Sequence, residues 1–222
     1  MTRVLIVGGG VGGLVLAMML HQRSIDCTVF EAVPEVKQLG VGINILPHGI
    51  AELEQLGLLS EMDRIAIRTR ELRYLNHLGQ TIWSDPRGTW AGSAVPQFSV
   101  HRGRLHGMLW QAAMMRLPKG GIRTGHRLAS FSQSERGVSA EFTTPAGAVT
   151  ETGDVLVAET DYGALEGGDG PGRPVEDRVR RLEDSRGDSR LFFQDGHQVG
   201  GGAFGIFRAP TRGYTWSSTF GG

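Results

Sequence analysis

Along the first 157 residues, short apolar runs alternate with glycine-rich or polar breaks, and the period of the pattern changes several times. Arg3 to Val7 is a β-branched apolar run. Five glycines fall between positions 8 and 13, and Leu14, Leu16, Ala17, Met18 and Leu20 follow with no helix breaker before Ser24. This order predicts strand, tight turn and helix. A second run, Cys27 to Phe30, ends in Glu31, and Arg3 to Glu31 has the length of one βαβ unit. Its two strands are expected to be parallel and its crossover right-handed.

The pattern then becomes more varied. Gly40 to Ile45, Gly-Val-Gly-Ile-Asn-Ile, suits a loop lying close to something bulky, and Pro47 opens a helix in which Ile50, Leu53, Leu56 and Leu59 share one face. Glu71 to Tyr74 and Gln80 to Trp83 read as a hairpin around Asn76-His77-Leu78-Gly79, inserted into an otherwise repeating βα order. Phe98 to Val100 leads into His101-Arg102 and a helix carrying Leu105, Leu109, Ala112 and Met115, ended by Pro118. Gly121 to Val157 alternates like a small antiparallel sheet with turns at Ser134 to Gly137 and Pro145 to Gly147, closing on the buried strand Asp154 to Val157. Trp83, Trp90 and Phe98 are candidates either for core packing or for facing an aromatic ligand.

Beyond Val157 the periodicity stops. Glycine is 34 of 222 residues, about twice the usual share. Residues 159–222 hold 14 of these glycines against seven Leu, Ile, Val or Met, which leaves little apolar surface to offset the entropy of ordering the backbone. Two regions are therefore expected: a folded domain over 1–157 and an atypical Gly/Arg/Asp-rich tail over 158–222, disordered or out of frame.

Charge excludes several partners. The 23 basic residues balance 23 acidic ones, so no general field draws the chain to nucleic acid or to anionic membranes. The glycines interrupt the apolar N-terminus, so it reads as neither a targeting nor a spanning segment. The single cysteine, Cys27, lies in a core-like run and fits a reducing, cytoplasmic setting. The seven histidines show no metal-ligand spacing, no metal is expected, and no G-x-S-x-G elbow is present.

The candidate chemistry lies in the first turn. Gly8, Gly10 and Gly13 match G-x-G-x-x-G directly after a strand and before a helix. The first glycine permits the tight turn, the second lets a pyrophosphate approach the backbone, and the third allows close helix-to-strand packing. The helix N-terminus directs N–H groups at the phosphates. Glu31, at the end of the second strand, can accept hydrogen bonds from ribose hydroxyls, and its charge disfavours a 2′-phosphate. On these residues FAD or NAD fits and NADP does not.

Three further segments, GVGINILPHGIAELEQLGL, ELRYLNHLGQTIWSDPRG and QFSVHRGRLHGML, together resemble the class A flavoprotein monooxygenases, the family of salicylate, para-hydroxybenzoate and phenazine hydroxylases. The resemblance covers about Arg3 to Val157. It implies an α/β fold, a Rossmann-like FAD-binding domain of the glutathione-reductase type with inserted β elements. It also implies an NADH- or NADPH-driven hydroxylation of a small aromatic or phenazine-like substrate with O₂, by way of a flavin C4a-hydroperoxide. Carried over residue by residue, Gly8, Gly10, Val11, Gly13, Glu31 and Ala32 would hold the ADP half of FAD. Gly42 would lie near the isoalloxazine, Arg102 would reach the cofactor, and the backbone of Leu128 would face the adenine.

The family pattern fails after Val157, where relatives continue V-G-A-D-G and this chain reads Val157-Ala158-Glu159-Thr160-Asp161. With GC-rich codons assumed, shifted frames over residues 157–163 and 182–193 read as G-G-D-G-L-R and W-R-T-R-G-A-T-P-A-F-F, which resemble the missing family segments. Residues after about 158 are therefore expected to come from an out-of-frame translation or a faulty gene model. The alternatives to an active monooxygenase are a non-catalytic FAD- or ADP-binding remnant and an NAD-dependent dehydrogenase.

Overall fold

The computed structural model describes residues 2–35 and 40–160, of which 159 and 160 as backbone only, together with the backbone of 203–208. The chain divides into two compact units, one comprising Met1–Glu35 with Leu117–Gly222 and the other Val36–Arg116. The inserted elements expected from the hairpin are thus a unit of their own.

In the first unit, β1 (Arg3–Val7), α1 (Val11–Gln22) and β2 (Asp26–Phe30) form the expected βαβ arrangement, with β1 and β2 parallel in the register Arg3↔Asp26 to Val7↔Phe30. β8 (Ile122–Arg123) extends the sheet beyond β2, and β12 (Val155–Thr160) extends it beyond β1, both parallel. Ile122 and Arg123 therefore belong to the parallel sheet, not to the antiparallel one expected from Gly121 onwards. Two residues carry no readable period, and their placement follows from the bonds they make: Val29 N–H donates to Gly121 O at 2.9 Å and Glu31 N–H to Arg123 O at 2.8 Å.

β12 runs to Thr160, past the boundary expected at Val157, and β13 (Ala203–Arg208) pairs antiparallel with it from Val155↔Arg208 to Thr160↔Ala203. The sheet order is β13-β12-β1-β2-β8. The shifted-frame segments fall, beyond Thr160, outside the described residues.

A second layer consists of β9 (Arg127–Ser134), β10 (Gly137–Thr144) and β11 (Gly147–Gly153), an antiparallel meander with both turns where the sequence places them. Between the layers Leu5, Val7, Phe30, Leu156 and Ala158 meet Val138, Ala140 and Phe142. The rings of Phe30 and Phe142 stack with centroids 4.4 Å apart. The opposite faces of β1 and β2 pack on α1, which buries Leu14, Val15, Ala17 and Met18. Cys27 lies on that side: its thiol donates to Ala17 O at 3.5 Å, and burial, with the Asp26 charge adding to it, pushes its pKa up to about 11. Glu151 ties the meander to both strand ends, accepting from Arg3 at 2.7 Å and from Arg123.

The second unit contains β3 (Gly42–Ile45), α2 (Pro47–Gln55), α3 (Leu59–Ile65), β4 (Ala66–Arg68), β5 (Glu71–Leu75), β6 (Thr81–Pro86), β7 (Phe98–His101) and α4 (Arg102–Arg116). The segment read as a loop over Gly40 to Ile45 is mostly strand. Ile43 and Ile45 alternate with Asn44, the period of a half-buried strand, and β3 pairs antiparallel with β7. The single helix expected through Leu59 is two. Gly57 has φ +68° and closes α2 with a Schellman pair, Leu58 N–H to Leu53 O at 2.8 Å and Gly57 N–H to Glu54 O at 2.7 Å. Leu53 and Leu58 are both buried, the apolar contact that accompanies this motif.

β5 and β6 form the predicted hairpin, with Tyr74 opposite Trp83. Phe98 is fully buried and lies beneath the Arg68 guanidinium, whereas Trp83 and Trp90 are about half exposed. Among the described residues no helix is long and apolar enough to cross a membrane.

Candidate functional site

The C-terminal ends of β1, β2 and β8 open on one edge of the parallel sheet, where doubly wound folds bind ligands. Gly8 follows β1 with φ +108°, a conformation that side chains rarely adopt, and its N–H donates to Phe30 O at 2.8 Å. Gly10 is the N-cap of α1 in an extended conformation, and no acidic residue lies in the first turn. The positive end of the α1 dipole favours an incoming diphosphate. Val11 opens the helix and Gly13 is buried on it.

Glu31 is tied to this turn. Its Oε2 accepts the Gly9 N–H at 2.7 Å and its Oε1 accepts the Val33 N–H at 2.8 Å. The carboxylate is thus fixed beside the glycine turn with lone pairs left for a ribose, since each oxygen can accept more than one bond. Ala32 lies between the two anchored residues, half-buried. Gly9 and Val33 were not singled out in the sequence. The only signal for them is that a carboxylate at the end of the second strand needs donors nearby, and backbone N–H groups are invisible to a residue-type reading.

Leu128 lies on β9 opposite Phe142, its side chain packed against the core cluster. The register shifts between Glu141 and Phe142, so Ala129 bulges out of the ladder beside it. Next to Glu31, His126 N–H donates to Glu31 O at 2.8 Å, which holds the chain after β8 against the end of β2.

In the second unit, Gly42 starts β3 opposite His101, and a Cβ at this position would meet nothing within 4 Å. Arg102 begins α4; its N–H donates to Val41 O at 2.9 Å, and its exposed guanidinium has no partner among the described residues. Asn44 Oδ1 accepts from the Ser99 hydroxyl at 2.6 Å, and Ser99 is 2.7 Å from the Thr69 hydroxyl. Gly42 and Arg102 share this unit, while Gly8, Gly10, Val11, Gly13, Glu31, Ala32 and Leu128 share the other.

A glycine turn at a helix N-terminus, with an acid fixed at the end of the second parallel strand, defines a Rossmann-type dinucleotide-binding protein. The chain matches the FAD binding domain family over residues 1–158 and belongs to it. FAD is the cofactor of that family, and the residues around the turn fit its ADP half.

The chain is 44% identical over 138 residues to phenazine 1,6-dicarboxylic acid hydroxylase PhzS of Lysobacter antibioticus, covering 62% of this chain and 34% of that protein. It is 31% identical over 144 residues to 3-amino-4-hydroxybenzoate 2-monooxygenase of Streptomyces cremeus, covering 64% and 36%. The structure of Klebsiella pneumoniae HpxO complexed with FAD and uric acid matches with a TM-score of 0.57 at 25% identity, over 70% of this chain and 38% of that one. p-Nitrophenol 4-monooxygenase PnpA of Pseudomonas putida shares the fold with a TM-score of 0.65 at 20% identity, over 88% and 46%. The chain spans about a third of the length of the curated relatives it matches.

Proposed function

We propose that this chain supplies the adenosine-binding part of an FAD-dependent monooxygenase that takes electrons from NADH or NADPH and hydroxylates a small aromatic, phenazine-like substrate with O₂. The observation that carries this reading is the Gly9–Glu31 bond at the start of α1, which sets the glycine turn beside a ribose acceptor. FAD, when bound, supplies the redox and oxygen chemistry.

The chain's own residues bind and orient. Gly10 and Val11 hold the diphosphate on backbone N–H groups, Gly8 makes the turn and Gly13 the close packing that bring them there, Glu31 and Ala32 receive the ribose, and the Leu128 backbone borders the adenine. Gly42 and Arg102 serve the flavin half, Arg102 through a guanidinium that offers several planar donors. The aromatic substrate class is supported by the relatives named for phenazine 1,6-dicarboxylic acid and 3-amino-4-hydroxybenzoate. The buried free thiol of Cys27 supports a reducing, cytoplasmic compartment. The segment after about residue 158 is read as an out-of-frame product, and sequencing the coding DNA tests this: an intact frame with no in-phase D-G reading refutes it.

The functional test is the absorbance spectrum of the purified chain with added FAD, followed by ADP and NAD⁺ competition and by NADH-dependent oxygen uptake with phenolic or phenazine substrates. Stoichiometric flavin displaced by ADP is expected. A chain that binds ADP and retains no flavin is a non-catalytic remnant, and stoichiometric NAD⁺ binding without flavin overturns the choice of cofactor.

A further inference from the structure

We propose that Gly40 is a positioning residue: the space left by its missing side chain sets the course of the Arg102 stem, and with it the place of the guanidinium. A Cβ at Gly40 would stand 3.0 Å from Arg102 Cβ, and 3.5 Å from both Arg102 Cγ and the Gly103 nitrogen. The first contact is well inside the roughly 3.5–4.0 Å at which carbon atoms pack. Arg102 Cβ is carried on the backbone of the first turn of α4, so it cannot swing away. The chain at Gly40 cannot back off either. Arg102 N–H donates to Val41 O at 2.9 Å, and the next residue, Gly42, pairs with His101 in the β3–β7 ladder. Gly40 also has φ +144°, which favours glycine. The bulky neighbour expected beside Gly40 to Ile45 is thus, at its first position, Arg102.

The Arg102 guanidinium is exposed and has no partner among the described residues, so the packing of its stem is what directs it. An alanine methyl at position 40 meets that stem at two atoms. The Cβ contact pushes the start of β3 and α4 apart. The Cγ contact is relieved by turning χ1 to another staggered well, a rotation of about 120° that carries the guanidinium elsewhere. The consequence for the cofactor rests on the reading that Arg102 serves the flavin half of FAD; the contact itself does not.

The test takes two measurements on the full chain. Thermal unfolding without ligand reads the contact: Gly40→Ala is expected to lower Tm, and to lower it only about half as much in an Arg102→Gly background, where no Cβ opposes the methyl. FAD and ADP titrations read the consequence. Gly40→Ala and Arg102→Gln are each expected to weaken FAD about tenfold while ADP stays within about twofold, and the double variant to bind FAD no more weakly than Arg102→Gln alone. Gly57→Ala, at φ +68° with no neighbour within 4 Å, carries the backbone strain without the contact and is expected to leave the FAD-to-ADP ratio unchanged. An unchanged Tm for Gly40→Ala, or equal Tm losses in the two backgrounds, overturns the proposal. So does undiminished FAD affinity in Gly40→Ala where Arg102→Gln lowers it, or a further loss in the double variant. If the Tm coupling is present and Arg102→Gln leaves FAD affinity unchanged, the flavin role of Arg102 fails and the positioning of its stem by Gly40 stands.

Discussion

Replacing Glu31 separates its two tasks, fixing the glycine turn and receiving a ribose. In the structure Oε2 holds the part-buried Gly9 N–H at 2.7 Å and Oε1 the exposed Val33 N–H at 2.8 Å. A hydrogen bond to a charged group contributes about 1.5–3 kcal/mol, with the exposed bond worth least because water replaces it. Glu31→Ala should therefore cost about 2 kcal/mol, nearly all of it from the Gly9 N–H. For a chain of this size that lowers Tm by about 4–8 °C.

Glu31→Gln should cost less than about 1 kcal/mol, because its amide oxygen can turn to Gly9 and leave the NH₂ group beside Val33, where water reaches. Loss of the ribose acceptor should weaken ADP binding by about 10–100-fold in the alanine variant, with glutamine between it and the parent. Thermal unfolding by near-ultraviolet circular dichroism and ADP titration by calorimetry read the two effects. A Tm for Glu31→Ala within 1 °C of the parent refutes the clamp, and an unchanged ADP affinity refutes the ribose role. If glutamine behaves like alanine in the melt, charge rather than the acceptor atom holds the turn.

Three further outcomes are expected. For Glu151, burial raises the carboxyl pKa but is outweighed by the hydrogen bonds from Arg3 and Arg123, so the net pKa lies below 4.5. Its stabilisation is thus full above the ordinary carboxylate range and fades as pH falls through the lowered value; Glu151→Gln should flatten the acid side of a Tm-against-pH curve, and an unaltered slope contradicts the pairing. Gly57→Ala meets no steric neighbour but keeps φ +68°, so equilibrium urea unfolding should show a loss of about 1 kcal/mol, with Gly57→Asn losing less because asparagine tolerates that region. Cys27, with its thiol pushed up to about 11 and buried against α1, should react with a disulfide reagent at pH 8 only slowly until denaturant is added; fast native labelling would mean that α1 opens readily.

Local features were legible wherever they are written in consecutive residues. The period change from Arg3–Val7 to Val11–Gln22, the glycines between them, the hairpin at Asn76 to Gly79 and both turns of the meander are short-range signals, and each turns up in place. β3 and the break at Gly57 were misread for an equally local reason. Glycines preceding an Ile-Asn-Ile alternation mimic a loop, and Leu59 continues the helical spacing across a residue whose backbone has turned left-handed.

What the sequence by itself determined is the βαβ unit and its glycine turn, because strand, turn and helix preferences there act between neighbours. Tertiary structure alone decided which strands flank it: β12 beside β1, β8 beside β2 and β13 beyond β12. A parallel strand takes its hydrogen-bond partners from distant residues, as Val4 does from the region of Val155, and nothing in a short run encodes that choice. The same holds for the site. The glycines and Glu31 were readable as residue types, but the bond that fixes one to the other is made by a backbone N–H, a group every residue but proline carries, so only the fold could select Gly9.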